Sequence, residues 1–144
     1  MYNNILYPID IYEESSYDQS LPIVLEYAEA FNATIHVMTV IPDYGMAIVS
    51  QYFPKSSVEK VVESTKDALH DFVDNKLKIT KAEIGNIIVK KGGSVYQAII
   101  DTSEKINADL IIVSAHRPEL KDYLLGPNAA KVVRHSTKPV LVVR

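Results

Sequence analysis

The chain has 144 residues, of which 47% are hydrophobic and 23% are charged. A chain of this length and composition folds as one domain with its own core, which excludes a disordered protein, a collagen-like repeat and a disulfide scaffold. There are no cysteines, so thiolate catalysis, cysteine-bound zinc and iron–sulfur clusters are excluded as well. With a formal net charge of -3 and no basic block, the chain is not expected to bind nucleic acid or an anionic lipid surface.

The N-terminal residues lack the basic region and the long apolar region of a signal peptide. No apolar run approaches the roughly 20 residues that a membrane span requires. We therefore expect a cytoplasmic protein that does not insert into membranes. Neither a linker nor an internal repeat interrupts the chain, so residues 1–144 are predicted to form a single domain.

Short apolar segments alternate along the chain with longer segments whose apolar residues recur at helical spacing. In chain order, the predicted elements are strand 5–9, helix 21–28, strand 33–41, helix 58–72, strand 84–89, helix 95–106, strand 110–113, helix 129–133 and strand 140–143. The short segments are rich in Ile and Val, which is typical of strands covered on both faces. The alternation predicts an α/β fold, with a five-stranded parallel sheet and helices on both faces. For the five strands we expect the order 3-2-1-4-5.

Turn-forming and capping residues support these boundaries. Gly92 and Gly93 predict a turn before the third helix, and Ser94 is the predicted N-cap of that helix. Pro127 stands where the first residue of the fourth helix tolerates proline. Two interpretations are open for residues 42–54, a lid over a site or an irregular surface loop.

Ligands in an open parallel sheet bind beyond the carboxyl ends of the strands, where the strand order reverses. In the predicted order this point lies between the first and fourth strands. Asp10 follows the first strand, Ser114 follows the fourth, and Val40 lies at the end of the second. Two roles are open for the Asp10 carboxylate: contact with a base amino group, a ribose hydroxyl or Mg²⁺, and a cap on the loop that follows it.

A second group of candidate residues surrounds the start of the fourth helix. A helix N-terminus offers free N–H groups and the positive end of a dipole to an anion. Gly126 permits close approach of a phosphate to the backbone, and the Arg117 guanidinium is suited to phosphate. The Walker and dinucleotide phosphate-loop patterns do not occur in the chain.

The histidines give little support for catalysis. His36 is interpreted as a core residue of the second strand, His70 as a solvated residue, and His135 as a residue at the C-terminal dipole of the fourth helix. His116 lies at the predicted ligand mouth. No nucleophile elbow and no metal-ligand motif occurs, so the sequence predicts neither a catalytic residue nor a metal site.

Several longer motifs carry a resemblance to a known family. They are ILYPID at 5–10, VMTVIP at 37–42, ADLIIV at 108–113, HRP at 116–118, YLLG at 123–126 and PVLVVR at 139–144. With these motifs the chain resembles the universal stress protein family along its whole length, and the terminal block resembles the F/G subgroup of that family. The resemblance implies a Rossmann-like fold that binds ATP or AMP, with or without Mg²⁺.

The resemblance also implies which positions contact the nucleotide. The positions implied for the adenosine are Pro8, Ile9, Asp10 and Val40, and those implied for the phosphate side are Ser114, His116, Arg117, Gly126, Pro127 and Asn128. The family's phosphate motif is G-x-x-G, nine residues, then G-[ST]. Counted back from Gly126, its first two glycines fall on Val113 and His116, although Ser114 takes the first glycine's place if the loop is one residue shorter.

Pro127 replaces the serine or threonine of the motif and supplies neither a hydroxyl nor an N–H. We therefore expect weak phosphate contacts and poor discrimination between ATP, AMP and adenosine.

The last predicted strand is a short, uncharged run at a sheet edge, and an exposed apolar edge associates unless it is paired or covered. The resemblance implies that Val140, Leu141, Val142 and Val143 pair with a second copy across a two-fold axis, so the chain would form a homodimer. The alternative is coverage by the protein's own helices. A charged residue at Leu141 or Val142 is expected to shift a dimer toward monomer.

The leading functional hypothesis is a dimeric adenine-nucleotide-binding protein that acts as a regulator or sensor in a stress response and turns over ATP slowly, if at all. One alternative is an interaction module of the same fold that does not use a nucleotide. Another is a weak nucleotide hydrolase that uses His116 or Asp10.

Overall fold

Five parallel strands form one sheet in the order β3-β2-β1-β4-β5, as predicted. The structure is a computed structural model that describes residues 1–41, 51, 55–115 and 127–144. The strands are β1 (Asn4–Pro8), β2 (Thr34–Ile41), β3 (Glu83–Lys91), β4 (Leu110–Ser114) and β5 (Val140–Val143). Each strand matches a predicted one, with boundaries that differ by at most two residues.

Four α-helices are described between the strands in residues 1–41, 55–115 and 127–144. They are α1 (Ser20–Phe31), α2 (Lys55–Phe72), α3 (Val95–Lys105) and α4 (Pro127–His135). A short 3-10 helix at Glu14–Ser16 and a π-helical turn at Val73–Leu77, which extends α2, were not predicted. None of the helices described in the structure combines the length and the apolar composition needed to cross a bilayer.

The predicted helix boundaries hold at two places. Helix α4 begins at Pro127, as predicted. Ser94 is the N-cap residue of α3, but its hydroxyl makes no capping hydrogen bond, which differs from the usual role of an N-cap serine. Residues 42–50 and 52–54 lie outside the described residues, so both interpretations of that segment stay predictions.

The sheet separates two apolar layers because successive side chains of a strand point to opposite faces. On one face, Ile5 and Tyr7 of β1 pack with buried residues of α1 and α2; on the other, Leu6 packs with buried residues of α3 and α4. The helix residues in these layers are Val24 and Ala28 of α1, Leu69 and Phe72 of α2, Ile99 of α3, and Ala129 and Val132 of α4. Helices therefore cover both faces of the sheet, as predicted.

Candidate functional site

A cavity of about 630 Å³ opens at the carboxyl ends of β1, β2 and β4. This is the switch point at which the strand order reverses. The predicted site residues that line it are Pro8, Ile9, Asp10, Val40, Ser114 and Asn128. Pro127 is not among the lining residues, although α4 begins there, and the predicted residues His116, Arg117 and Gly126 lie outside the described part of the chain.

The cavity has an apolar side formed by strand ends and by helices from both faces of the sheet. Ile9 and Val113 are buried where β1 and β4 end, and Val40 is half-buried at the end of β2. The sequence analysis missed the helix contributions, Val61 of α2 and Ile99 of α3. These positions belong to the apolar faces of their helices, which the sequence identified, but helical spacing alone does not show which turn reaches the site.

Asp10 begins a loop that its own side chain stabilises. One carboxylate oxygen, Oδ1, accepts the backbone N–H of Tyr12 at 3.2 Å, which is an Asx turn. The backbone N–H of Asp10 donates to the Ser16 hydroxyl at 3.0 Å, and that hydroxyl donates to the Asp10 carbonyl at 2.9 Å. The capping role is therefore observed, and the carboxylate nevertheless stays exposed on the wall of the cavity.

Tyr12 joins this loop to α2. Its phenolic oxygen lies 3.1 Å from the Thr65 hydroxyl, which itself lies 2.8 Å from the Val61 carbonyl. The carbonyl can only accept, so the Thr65 hydrogen goes to Val61 and the phenol of Tyr12 donates to Thr65. All three residues line the cavity, and neither Tyr12 nor Thr65 was predicted to belong to the site.

Strand β1, which leads to the Asp10 loop, is held to α1 by a side-chain hydrogen bond. The Tyr7 hydroxyl lies 2.8 Å from the hydroxyl of Ser20, the first residue of α1. Burial raises the pKa of the Tyr7 phenol well above its usual value, so the group stays protonated. The hydrogen bond thus ties the end of β1, three residues before Asp10, to the start of α1.

Ser114 is the last residue of β4, and its hydroxyl faces no hydrogen-bond partner among the described residues although its oxygen is buried. Buried polar groups in folded proteins are nearly always satisfied, by protein, water or ligand. Across the cavity, Asn128 and Ala129 belong to the first turn of α4, whose N–H groups have no partner within the helix. A ligand in the cavity could therefore accept hydrogen bonds from β4 and from α4.

Within the described residues there is no cluster of three or more His, Asp or Glu side chains that could hold a metal ion. Glu13 lines the cavity with Asp10, and its Oε1 accepts the Ser15 hydroxyl at 3.1 Å. The expectation of Mg²⁺ beside a nucleotide stays a prediction.

The chain is similar to members of one protein family. A family model described as the universal stress protein family matches residues 1–144. Universal stress protein G of Salmonella typhimurium is 28% identical over 145 residues, which cover 100% of this chain and 100% of that protein. The name of this relative agrees with the F/G-like terminal block.

Solved structures show the same fold. The structure of hypothetical protein MJ0577, which carries the name of a Methanocaldococcus jannaschii relative, matches with a TM-score of 0.76 at 26% identity, over 99% of this chain and 96% of that one. A universal stress protein from Archaeoglobus fulgidus in complex with dAMP matches with a TM-score of 0.68 at 17% identity, over 99% and 98% of the two chains.

A further universal stress protein, in complex with cAMP, matches with a TM-score of 0.58 at 22% identity, over 99% of this chain and 97% of that one. The family model covers every residue, and these structures share the fold of a parallel sheet with helices on both faces. The chain therefore belongs to the universal stress protein family.

Proposed function

We propose that this protein binds an adenine nucleotide, ATP or AMP, in the cavity at the carboxyl ends of β1, β2 and β4. In this proposal it acts as a cytoplasmic, dimeric regulator of a stress response, and residues 1–144 form its single domain. The observation that carries the proposal is the buried Ser114 hydroxyl without a partner among the described residues. Such a group costs about 1–3 kcal/mol when it stays unsatisfied, and a bound ligand removes that cost.

The walls of the cavity suit the parts of a nucleotide. The apolar side chains of Ile9 and Val40 offer a surface for the face of a purine. The Asp10 carboxylate can accept a hydrogen bond from a ribose hydroxyl or from the amino group of adenine. The volume of about 630 Å³ lies within the roughly 300–1,000 Å³ of ordinary small-molecule sites.

The phosphates would lie toward the first turn of α4, where Asn128 and Ala129 offer backbone N–H groups. Pro127 offers none, because proline has no N–H. The proposal therefore assigns most of the affinity to the adenosine and only a small part to the phosphates.

Two relatives support adenine nucleotides as the ligand class. The proteins solved with cAMP and with dAMP share this fold, and both of those ligands contain adenine and a phosphate group. Family membership supports the stress-response role, and the position of β5 at an edge of the sheet that no other described strand covers supports the dimer.

The test is calorimetric titration of the protein with ATP, AMP and adenosine. Wild type should bind all three with similar affinity. Ser114→Ala should weaken ATP and AMP by about tenfold, as the loss of one hydrogen bond predicts, and adenosine less, because adenosine has no phosphate to accept that bond. Ser103→Ala is the matched control, because that buried hydroxyl already donates to the Ile100 carbonyl at 2.7 Å on α3. The control variant should bind like wild type.

Native mass spectrometry must first show that the protein is free of a copurified nucleotide. If nucleotide-free protein binds none of the three ligands, the proposal is wrong and the interaction-module alternative takes its place. Equal affinity of wild type and Ser114→Ala would remove Ser114 from the site. A strong preference of wild type for ATP would show that the phosphates are better bound than the Pro127 substitution predicts.

A further inference from the structure

A second, smaller cavity of about 270 Å³ lies between the end of β3 and one face of α3. It shares no lining residue with the cavity described above. Its residues are Lys90 and Lys91 of β3, the turn residues Gly92, Gly93 and Ser94, and Gln97, Ala98, Asp101, Thr102 and Lys105 of α3. The five α3 residues recur every three or four positions, so they form one continuous face of the helix.

This cavity is basic in a chain whose formal net charge is -3. Three of its lining residues, Lys90, Lys91 and Lys105, are cationic, and one, Asp101, is anionic. Within the ranges that the structure describes, none of the three lysines forms an ion pair. The Asp101 carboxylate instead accepts the side-chain N–H of Gln97 at 2.8 Å. The local charge therefore favours an anion.

The turn before α3 leaves backbone N–H groups available to that anion. Gly92 and Gly93 both have positive φ, 78° and 71°, which favours glycine at these positions. The Gly92 N–H donates to the Ile41 carbonyl. Around Gly93 there is free space, because no atom lies within 4 Å of the position that a Cβ would occupy. Since the Ser94 hydroxyl caps no N–H of α3, the first turn of this helix keeps free donors.

The Thr102 side chain is evidence for a ligand that does not depend on the lysines or on the turn. It is 2% exposed, and its hydroxyl has no hydrogen-bond partner among the described residues. A threonine inside a helix ordinarily bonds a carbonyl of the preceding turn, as Thr65 does with Val61 at 2.8 Å. Thr102 makes no such bond, and it lines the basic cavity. Its hydroxyl is thus a buried polar group without a partner among the described residues, on a residue that lines the same cavity as the three lysines.

We propose that this second cavity binds a small anion that carries several phosphate groups. The lysines and the first turn of α3 hold the charged oxygens, and the Thr102 hydroxyl donates to one of them. From Ser94 to Thr102 the helix rises about 12 Å, so a short chain of phosphates fits the row of donors better than a single phosphate does. The volume of about 270 Å³ is below that of ordinary small-molecule sites, which favours an ion without a nucleoside.

The test uses tripolyphosphate as the probe, titrated at constant ionic strength and followed by the amide resonances of the protein. The signals of Gly93 and of the first turn of α3 should shift, and inorganic phosphate should bind at least tenfold more weakly than tripolyphosphate. Lys105→Gln should lower the affinity, whereas Lys81→Gln, an exposed lysine outside both cavities, should leave it unchanged. If both lysine variants lost the same affinity for tripolyphosphate, the binding would be due to general charge attraction, and the proposal would be wrong.

Thr102→Val provides the sharper variant, because it replaces only the hydroxyl with a methyl group. It should weaken tripolyphosphate binding by about tenfold, since a hydrogen bond to a charged acceptor is lost. Without the probe its unfolding temperature should not fall, because the hydroxyl has no internal partner to lose. A lower unfolding temperature, an unchanged affinity, or shifts confined to Asn128 and Ala129 would each contradict the proposal.

Discussion

His36 has both ring nitrogens engaged in hydrogen bonds inside the sheet. Its Nδ1 accepts the backbone N–H of Asn86 at 3.0 Å, so the ring hydrogen is on Nε2, which donates to Asn4 Oδ1 at 3.0 Å. Burial lowers the pKa of His36 because the imidazolium would lose its hydration. The interpretation of His36 as a core histidine is therefore confirmed, and the fold requires its neutral form.

The first prediction is that the free energy of unfolding falls as the pH is lowered through about 6.5, the ordinary pKa of histidine in an unfolded chain. Below that value the unfolded state binds a proton that the folded state resists, so protonation favours unfolding. Urea unfolding between pH 5 and 8 measures the slope. His36→Gln should flatten it, whereas His70→Gln, on the exposed side of α2, should keep the wild-type slope. An equal slope in His36→Gln would contradict the prediction.

At the scale of elements, the pairing of β2 with β3 contains a β-bulge at this histidine. Ile35 pairs with Ile84 and Val37 pairs with Ile87, so two residues of β3 oppose His36. One of them is Gly85, and the imidazole occupies the space next to it: a Cβ on Gly85 would lie 2.6 Å from Nδ1 of His36. A side chain on Gly85 would therefore force the imidazole or the strands to shift.

We expect Gly85→Ala to lower the free energy of unfolding by about 1–3 kcal/mol, because the new methyl group overlaps the buried ring. In a His36→Ala background the same substitution should cost less, since the ring is gone and only the Thr34 methyl group, 2.9 Å from the added Cβ, still has to move. Denaturant unfolding of wild type, both single variants and the double variant measures this coupling. Strictly additive costs would show that the ring and Gly85 do not interact in this way.

At the scale of the whole molecule, β5 leaves one edge of the sheet free among the described residues. The N–H of Ile111 donates to the Pro139 carbonyl at 2.9 Å, and the N–H of Ala115 donates to the Val143 carbonyl at 2.7 Å. Alternate residues of a strand face the same neighbour, so the backbone groups of Val140 and Val142 point away from β4. These groups are the ones that a second copy would use.

This geometry refines the test of the proposed dimer. Leu141 packs against the core layer under α1 and α2, so a charge there would disturb the fold itself. Val142→Pro removes one outward N–H and leaves the bonds between β4 and β5 in place. It should shift the protein from dimer to monomer in analytical ultracentrifugation at micromolar concentration.

Val142→Thr is the matched control for that variant, because it keeps the N–H and a β-branched side chain; it should stay dimeric. Far-ultraviolet circular dichroism must show that the proline variant is folded. A wild-type protein that sediments as a monomer, or a folded Val142→Pro protein that stays dimeric, would remove the β5 pairing from the proposal.

The sequence by itself determined the helices and strands, their order along the chain and the fold class, because these follow from local patterns. Continuous Ile- and Val-rich runs predict the five strands of the sheet, and helical spacing predicts the four α-helices named above, which lie in the described ranges. The place of the candidate site was predictable too, since a parallel sheet in this order has its switch point beyond β1 and β4. For that reason the sequence alone points to Asp10 and Ser114 as site residues.

Only the tertiary structure decided the contacts between residues that are far apart in the chain. The hydrogen bond from Tyr12 to Thr65 and the bulge that joins His36 to Gly85 bridge segments about fifty residues apart. The unpartnered hydroxyls of Ser114 and Thr102 are likewise visible only when all their neighbours are placed. Periodicity reports which side of an element is buried, whereas hydrogen bonding depends on distances of a few tenths of an ångström between elements, which no local pattern in the chain contains.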